Sequence, residues 1–114
     1  MNFRELKNLL KTSTEENIGF DEPHVSLRCR ENNITKNQII YILLHETKRI
    51  RHFIKDRKNV YKLYFNLNKK RQLKIIAEIR PSKKIIIKTV KILDRKLYKD
   101  VYFIAIKVEE NGKI

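Results

Sequence analysis

The chain has 114 residues, enough for one domain and too few for two ordinary ones, and 41% of them are hydrophobic, enough for a packed core. Its formal charge is +14, from 27 basic and 13 acidic side chains, and these are interleaved with Ile, Leu, Val, Tyr and Phe, which excludes a disordered basic tail. Cys29 is the only cysteine, so no internal disulfide can form; with no signal-like apolar stretch at the N-terminus, the expectation is a cytoplasmic protein.

Phe3, Leu6, Leu9 and Leu10 recur at helical spacing and predict a short amphipathic helix over residues 2–12, followed by a polar linker to Asn17. A second helix is expected from Asp21, with Asp as its cap and Pro23 in its first turn. Asn32-Asn33 should stop it, because Asn tolerates left-handed dihedrals. Thr35 caps a third helix carrying Ile39, Ile40, Ile42, Leu43 and Leu44, expected to run to about Lys48 and to be the most buried. The longest apolar run, Gln38 to Leu44, falls well short of the roughly 18 residues a membrane span needs, so no membrane partner is expected.

After Lys58 the hydrophobic period changes to two. Tyr61, Leu63, Phe65 and Leu67 alternate with Lys62, Tyr64 and Asn66; Leu73, Ile75, Ala77 and Ile79 alternate with Lys74, Ile76, Glu78 and Arg80. Asn68 to Arg71 reads as a basic hairpin tip and Arg80 to Lys83 as a Pro-containing turn. Ile85 to Leu93 is a third strand, apolar on both faces and so expected in a central position, and Val101 to Val108 a fourth strand or strand-like tail. The expected fold is α+β: N-terminal helices packed on an antiparallel four-stranded sheet. One domain spans 1–114, with a helix and linker (1–17), a core (18–93) and a C-terminal strand or tail (94–114).

The charge is uneven. Residues 58–114 hold 16 basic and 5 acidic side chains, a net of +11, against 11 and 8, a net of +3, in residues 1–57. Such asymmetry is the footprint of a polyanion partner, and RNA is the expected one. Arg30, Lys62, Lys69, Lys70, Arg71, Lys74 and Lys88 are the expected phosphate contacts. Tyr64, on the polar face of its strand, is the candidate for stacking an unpaired base, whereas Tyr61 and Phe65 share a face with Leu63 and Leu67 and read as core. One cysteine and three scattered histidines give no zinc spacing, and two glycines cannot build a phosphate loop, so neither metal nor cofactor is expected.

His24 and Arg28 stand four residues apart on one helix face. A histidine can move a proton near neutral pH and an arginine can clamp a phosphate with two parallel hydrogen bonds, two of the needs of metal-independent RNA cleavage. A cap or surface histidine, with Arg28 paired to Glu31 or Glu22, is the plainer reading of the same spacing. His45 reads as a core or edge residue, His52 as part of a solvated basic stretch, and Cys29 as a small apolar residue packing with Val25.

The stretch His24 to Thr35 resembles the signature His-x3-Arg-x3-Arg-Gly-Ile-[Ser/Thr] of a short prokaryotic domain family grouped with ribonuclease toxins similar to RelE and BrnT. His24, Arg28, Ile34 and Thr35 stand at matching positions; Asn32-Asn33 replaces the family's Arg-Gly. Lys84 to Val90 is similar to the family's closing strand, with its Thr-Val pair, and the likeness covers about Phe20 to Leu93. The resemblance implies a compact sheet with His24 and Arg28 facing its concave side, completed by Thr89 and Arg80, an endoribonuclease activity of the toxin type, and a small acidic antitoxin as partner. The alternative is a non-catalytic basic nucleic-acid-binding module, either a helix-turn-helix formed by the second and third helices or a ribonucleoprotein subunit. Against the helix-turn-helix, the third helix is apolar where a recognition helix must be polar.

Overall fold

The N-terminal helix α1 (Phe3–Thr12) begins where expected: the Asn2 side chain accepts from the Glu5 N–H at 2.8 Å, and the Glu5 carboxylate accepts from the Asn2 N–H at 3.2 Å. The computed structural model, which describes residues 1–94, has three α-helices and a five-stranded sheet whose first strand lies between the first and second helices. The remaining elements are β1 (Ile18–Phe20), α2 (His24–Glu31), α3 (Lys36–His45), β2 (Ile50–Arg57), β3 (Val60–Asn66), β4 (Arg71–Ile79) and β5 (Ile85–Asp94). The expectations for residues 95–114, including a strand over 101–108, lie outside the described residues.

The α+β layout holds, with helices packed on one face of the sheet, but the sheet differs from the four-stranded antiparallel one expected. Its order is β1-β5-β4-β3-β2, with β1 parallel to β5 and the other neighbours antiparallel. Two strands escaped the periodicity. β1 is only three residues long and has no alternation to read. β2 shows no clean alternation because its register shifts between Ile50 and His52, and again between Lys55 and Arg57, so Arg49 to His52 reads only as a basic stretch. A bulge inserts a residue and reverses which side chains face inward, so Ile50 and Phe53 are both turned to the core face although three residues apart. β5 does lie between β1 and β4, as its two apolar faces suggested.

α2 begins at His24, after Pro23, and Asp21 does not cap it. Asp21 extends β1 instead: its N–H donates to the Ile87 carbonyl at 2.9 Å. At the other end Asn33 takes φ 52°, the left-handed value that the stop required. The Ile34 N–H reaches back to the Cys29 carbonyl and the Asn33 N–H to that of Arg30, a Schellman closure with Ile34 and Cys29 both buried. α3 ends at His45, three residues short of Lys48, and a 3₁₀ turn (Thr47–Arg49) leads into β2. Its Thr35–Gln38 capping box is reciprocal.

The core lies between the helices and one face of the sheet. Leu6 and Leu10 of α1, Val25 and Cys29 of α2, and Ile39 and Leu43 of α3 meet Tyr61, Leu63, Phe65, Leu73, Ile75, Ala77, Ile85, Ile87 and Val90. Each large side chain among them contributes roughly 1.5–3 kcal/mol by leaving water. Tyr61 and Phe65 are therefore core residues, and Cys29 packs beside Val25 as expected. Burial holds the Cys29 thiol above its ordinary pKa, which keeps it in the unreactive protonated form.

Candidate anion-binding cleft

Two local features bring Arg28, Glu31 and Asn32 of α2, past the edge of β5, beside the sheet's outer face, the one turned away from α1 and α3. β1 covers the edge of β5 only as far as Ile87, and from there α2 lies along that edge. The Asn32 side chain then replaces the missing strand: its carbonyl accepts from the Ile92 N–H at 2.9 Å, while its amide donates to the Arg28 carbonyl at 2.8 Å. The second feature is a bulge in β5. Ile76 pairs with Thr89 but Ala77 pairs with Ile87, so Lys88 is the inserted residue. Beyond it the facing reverses, turning Thr89 and Lys91 outward and Val90 inward.

The result is a cleft of about 430 Å³ walled by Arg28, Glu31 and Asn32 of α2 and floored by Lys74, Ile76, Thr89, Val90 and Lys91. Lys74 stands directly opposite Lys91 in the ladder, and neither has a carboxylate ion-pair partner among the described residues. Like charges directly opposite destabilise a sheet unless something anionic lies between them. Lys62, on the next strand, adds to the field but is partnered by Asp56 at 3.8 Å. Partial burial, then Lys62 and Lys91, hold the Lys74 ammonium below the usual lysine pKa; Asp56 opposes them weakly. Arg28 donates to Glu31 at 2.8 Å, with both side chains about half exposed; a guanidinium carries five N–H donors, so it can hold this carboxylate and a phosphate together.

Of the expected site residues, the structure unites Arg28, Thr89 and Lys74. His24 shares the Arg28 face of α2 and is exposed, but it stands one turn away and does not line the cleft. Arg80 is elsewhere: it pairs with Glu78 at 3.7 Å and lines a separate hollow with α1 and the β4–β5 turn. Arg30 is exposed two residues beyond Arg28, about 200° around the helix, and points away from the cleft. Lys88 is held by Asp21 at 3.5 Å. Lys69, Lys70 and Arg71 are exposed at the β3–β4 tip, where the Asn68 side chain accepts from the Lys70 and Arg71 N–H groups.

Tyr64 is not the exposed stacking platform its polar-face position suggested: only 7% of it is exposed and its ring lies 6.4 Å from that of His52. His52 is half-buried on β2 rather than solvated, and of the core and edge positions expected for His45 the core one is excluded: it is exposed at the end of α3 beside Tyr41. Glu31, Asn32 and Lys91 belong to the cleft and were not anticipated. The signal for Lys91 was in the spacing of Ile85, Ile87, Val90 and Ile92, whose phase slips by one residue, the mark of a bulge.

Among the described residues, no helix is long and apolar enough to cross a membrane, and no three His, Cys, Asp or Glu side chains are grouped to hold a metal. No protein family, curated protein or solved structure matches the chain.

Proposed function

We propose that this protein binds RNA on the outer face of its sheet, with a phosphate in the α2–β5 cleft, and cleaves it there without a metal, as an endoribonuclease of the toxin type. The observation that carries the reading is the convergence of Arg28, Lys74, Lys91 and Thr89 on one concave site. Arg28 is the planar clamp for phosphate oxygens, and the two lysines supply point charges. The exposed tip at Lys69, Lys70 and Arg71 lengthens the track for a backbone outside the cleft. Release of counterions makes such binding fall steeply with salt. The acidic antitoxin implied by the family likeness would compete for the same cations.

Incubating the protein with total RNA, with and without chelator, tests this directly. Cleavage that survives chelation and is lost in Arg28→Ala is the expected result; an Arg28→Ala protein as active as wild type would remove the cleft from the mechanism. The position of His24 outside the cleft favours a second reading, a basic RNA-binding module without catalysis. Salt-dependent binding that leaves RNA intact would establish that one.

A further inference from the structure

Cleavage of RNA without a metal needs a group to take the proton of the ribose 2′-hydroxyl and another to protonate the departing 5′-oxygen. The attacking and leaving oxygens lie roughly in line through phosphorus, so the two groups must stand on opposite sides of the phosphate. Sequence spacing points to His24 for the first task. His24 does not line the cleft. Among the described residues the cleft holds one carboxylate, Glu31, on the α2 wall, and Lys74 lies across from it on β4, with Thr89 and Lys91 of β5 in between.

Resting on the RNA-binding reading above, we propose that Glu31, rather than His24, is the proton acceptor of this cleft and that Lys74 is the proton donor. Three arrangements support it. Arg28 grips Glu31 at 2.8 Å, so the carboxylate is held at the cleft wall and a guanidinium lies beside the position where charge grows on phosphorus. Strand β5 separates donor from acceptor, which places them on opposite sides of a phosphate seated over Thr89. Burial and two flanking lysines make Lys74 a readier donor than an ordinary lysine, because its ammonium releases a proton more easily.

The step balances without a co-reactant. Glu31 takes the 2′-hydroxyl proton as the 2′-oxygen forms its bond to phosphorus. The bond from phosphorus to the 5′-oxygen breaks, and the Lys74 ammonium gives that oxygen a proton. The products are a 2′,3′-cyclic phosphate and a free 5′-hydroxyl, and exchange with water restores both side chains.

The test compares wild type, Glu31→Gln, Lys74→Arg and His24→Ala on a short end-labelled single-stranded RNA and on its all-2′-deoxy counterpart, measuring binding and cleavage separately. Glu31→Gln should bind the RNA at least as tightly, having lost a negative charge, and cleave it roughly 10²–10⁴-fold more slowly. Lys74→Arg keeps the charge and the binding but cannot release a proton, so it should cleave roughly 10²–10⁴-fold more slowly, and its residual rate should lack the alkaline limb of the wild-type pH–rate profile. A merely structural role for either residue would move binding and folding together with the rate. The deoxy strand should bind and stay intact. Glu31→Gln cleaving at the wild-type rate, or loss of cleavage in His24→Ala alone, would overturn the assignment. Wild type that binds but never cleaves overturns it too, and leaves RNA binding standing; wild type that fails to bind overturns the parent reading.

Discussion

The two faces of this sheet are made by the same strands and do opposite work. On the face beneath the helices, β3, β4 and β5 present Leu63, Phe65, Leu73, Ile75, Ile85 and Ile87, all fully buried. On the outer face the same strands carry Lys62, Lys74, Thr89 and Lys91 among Tyr64, Gln72 and Ile76. The inner face is what stability alone would select. The outer face accepts a cost, since Lys74 opposes Lys91 with no carboxylate paired to either among the described residues. A side that serves only as a solvated surface would alternate the signs. The difference teaches that charge on the outer face is placed against stability, a cost that the proposed phosphate in the cleft would offset.

The largest effect should come from the inner face. Phe65→Ala removes a fully buried ring and should cost about 3–5 kcal/mol in denaturant unfolding. A loss under about 1 kcal/mol would mean the core is not packed as described. On the outer face, Lys91→Ala should leave that stability unchanged or slightly raised, having removed a like charge opposite Lys74, but weaken RNA binding uniformly across sequences, reducing the slope of log affinity against log salt by about 1. An unchanged slope would place the phosphates elsewhere.

At the join between the faces, Asn33 takes φ 52°. Asn33→Gly should be neutral or slightly stabilising, whereas Asn33→Val should cost about 1–2 kcal/mol in thermal unfolding, because a branched side chain resists the left-handed region. A smaller effect follows pH. A lysine with a folded-state pKa below its unfolded value binds fewer protons in the fold, so its penalty is complete below the folded pKa and fades as pH rises toward the unfolded one. Lys74→Met should therefore melt above wild type near neutrality, with the gap closing toward about pH 10. Cys29 gives the last check: a thiol reagent should label it slowly in the native protein and quickly in denaturant, and equal rates would contradict its burial.

Much of the architecture was legible because local chemistry and burial agree in those segments. The spacing of Phe3, Leu6, Leu9 and Leu10 announces α1, Thr35 announces α3, Asn33 marks a stop, and the alternation of β3 and β4 separates core from outer residues without ambiguity. The failures share a cause. Bulges at Arg51 and Lys88 reverse the inward parity, so β2 vanished into a basic stretch and Lys91 was never set opposite Lys74. Tyr64 failed differently: its alternation correctly placed it on the outer face, but periodicity names a face and says nothing of what lies over it. In the cleft, Arg28 and Thr89 were foreseen together, while Arg80 was assigned to a site it cannot reach from the far end of β4.

The amino-acid sequence by itself determined a basic α+β chain with its charge gathered on the strand-rich half, because composition and hydrophobic period are local properties that need no partner. Only the tertiary structure decided which charges meet. Arg28 and Lys91 are distant in the chain and become neighbours because β1 stops at Phe20, Asn32 ties α2 to the exposed edge of β5, and one inserted residue turns Thr89 and Lys91 outward. That convergence depends on strand length and register, which are set by packing between elements and not by any residue's own preference.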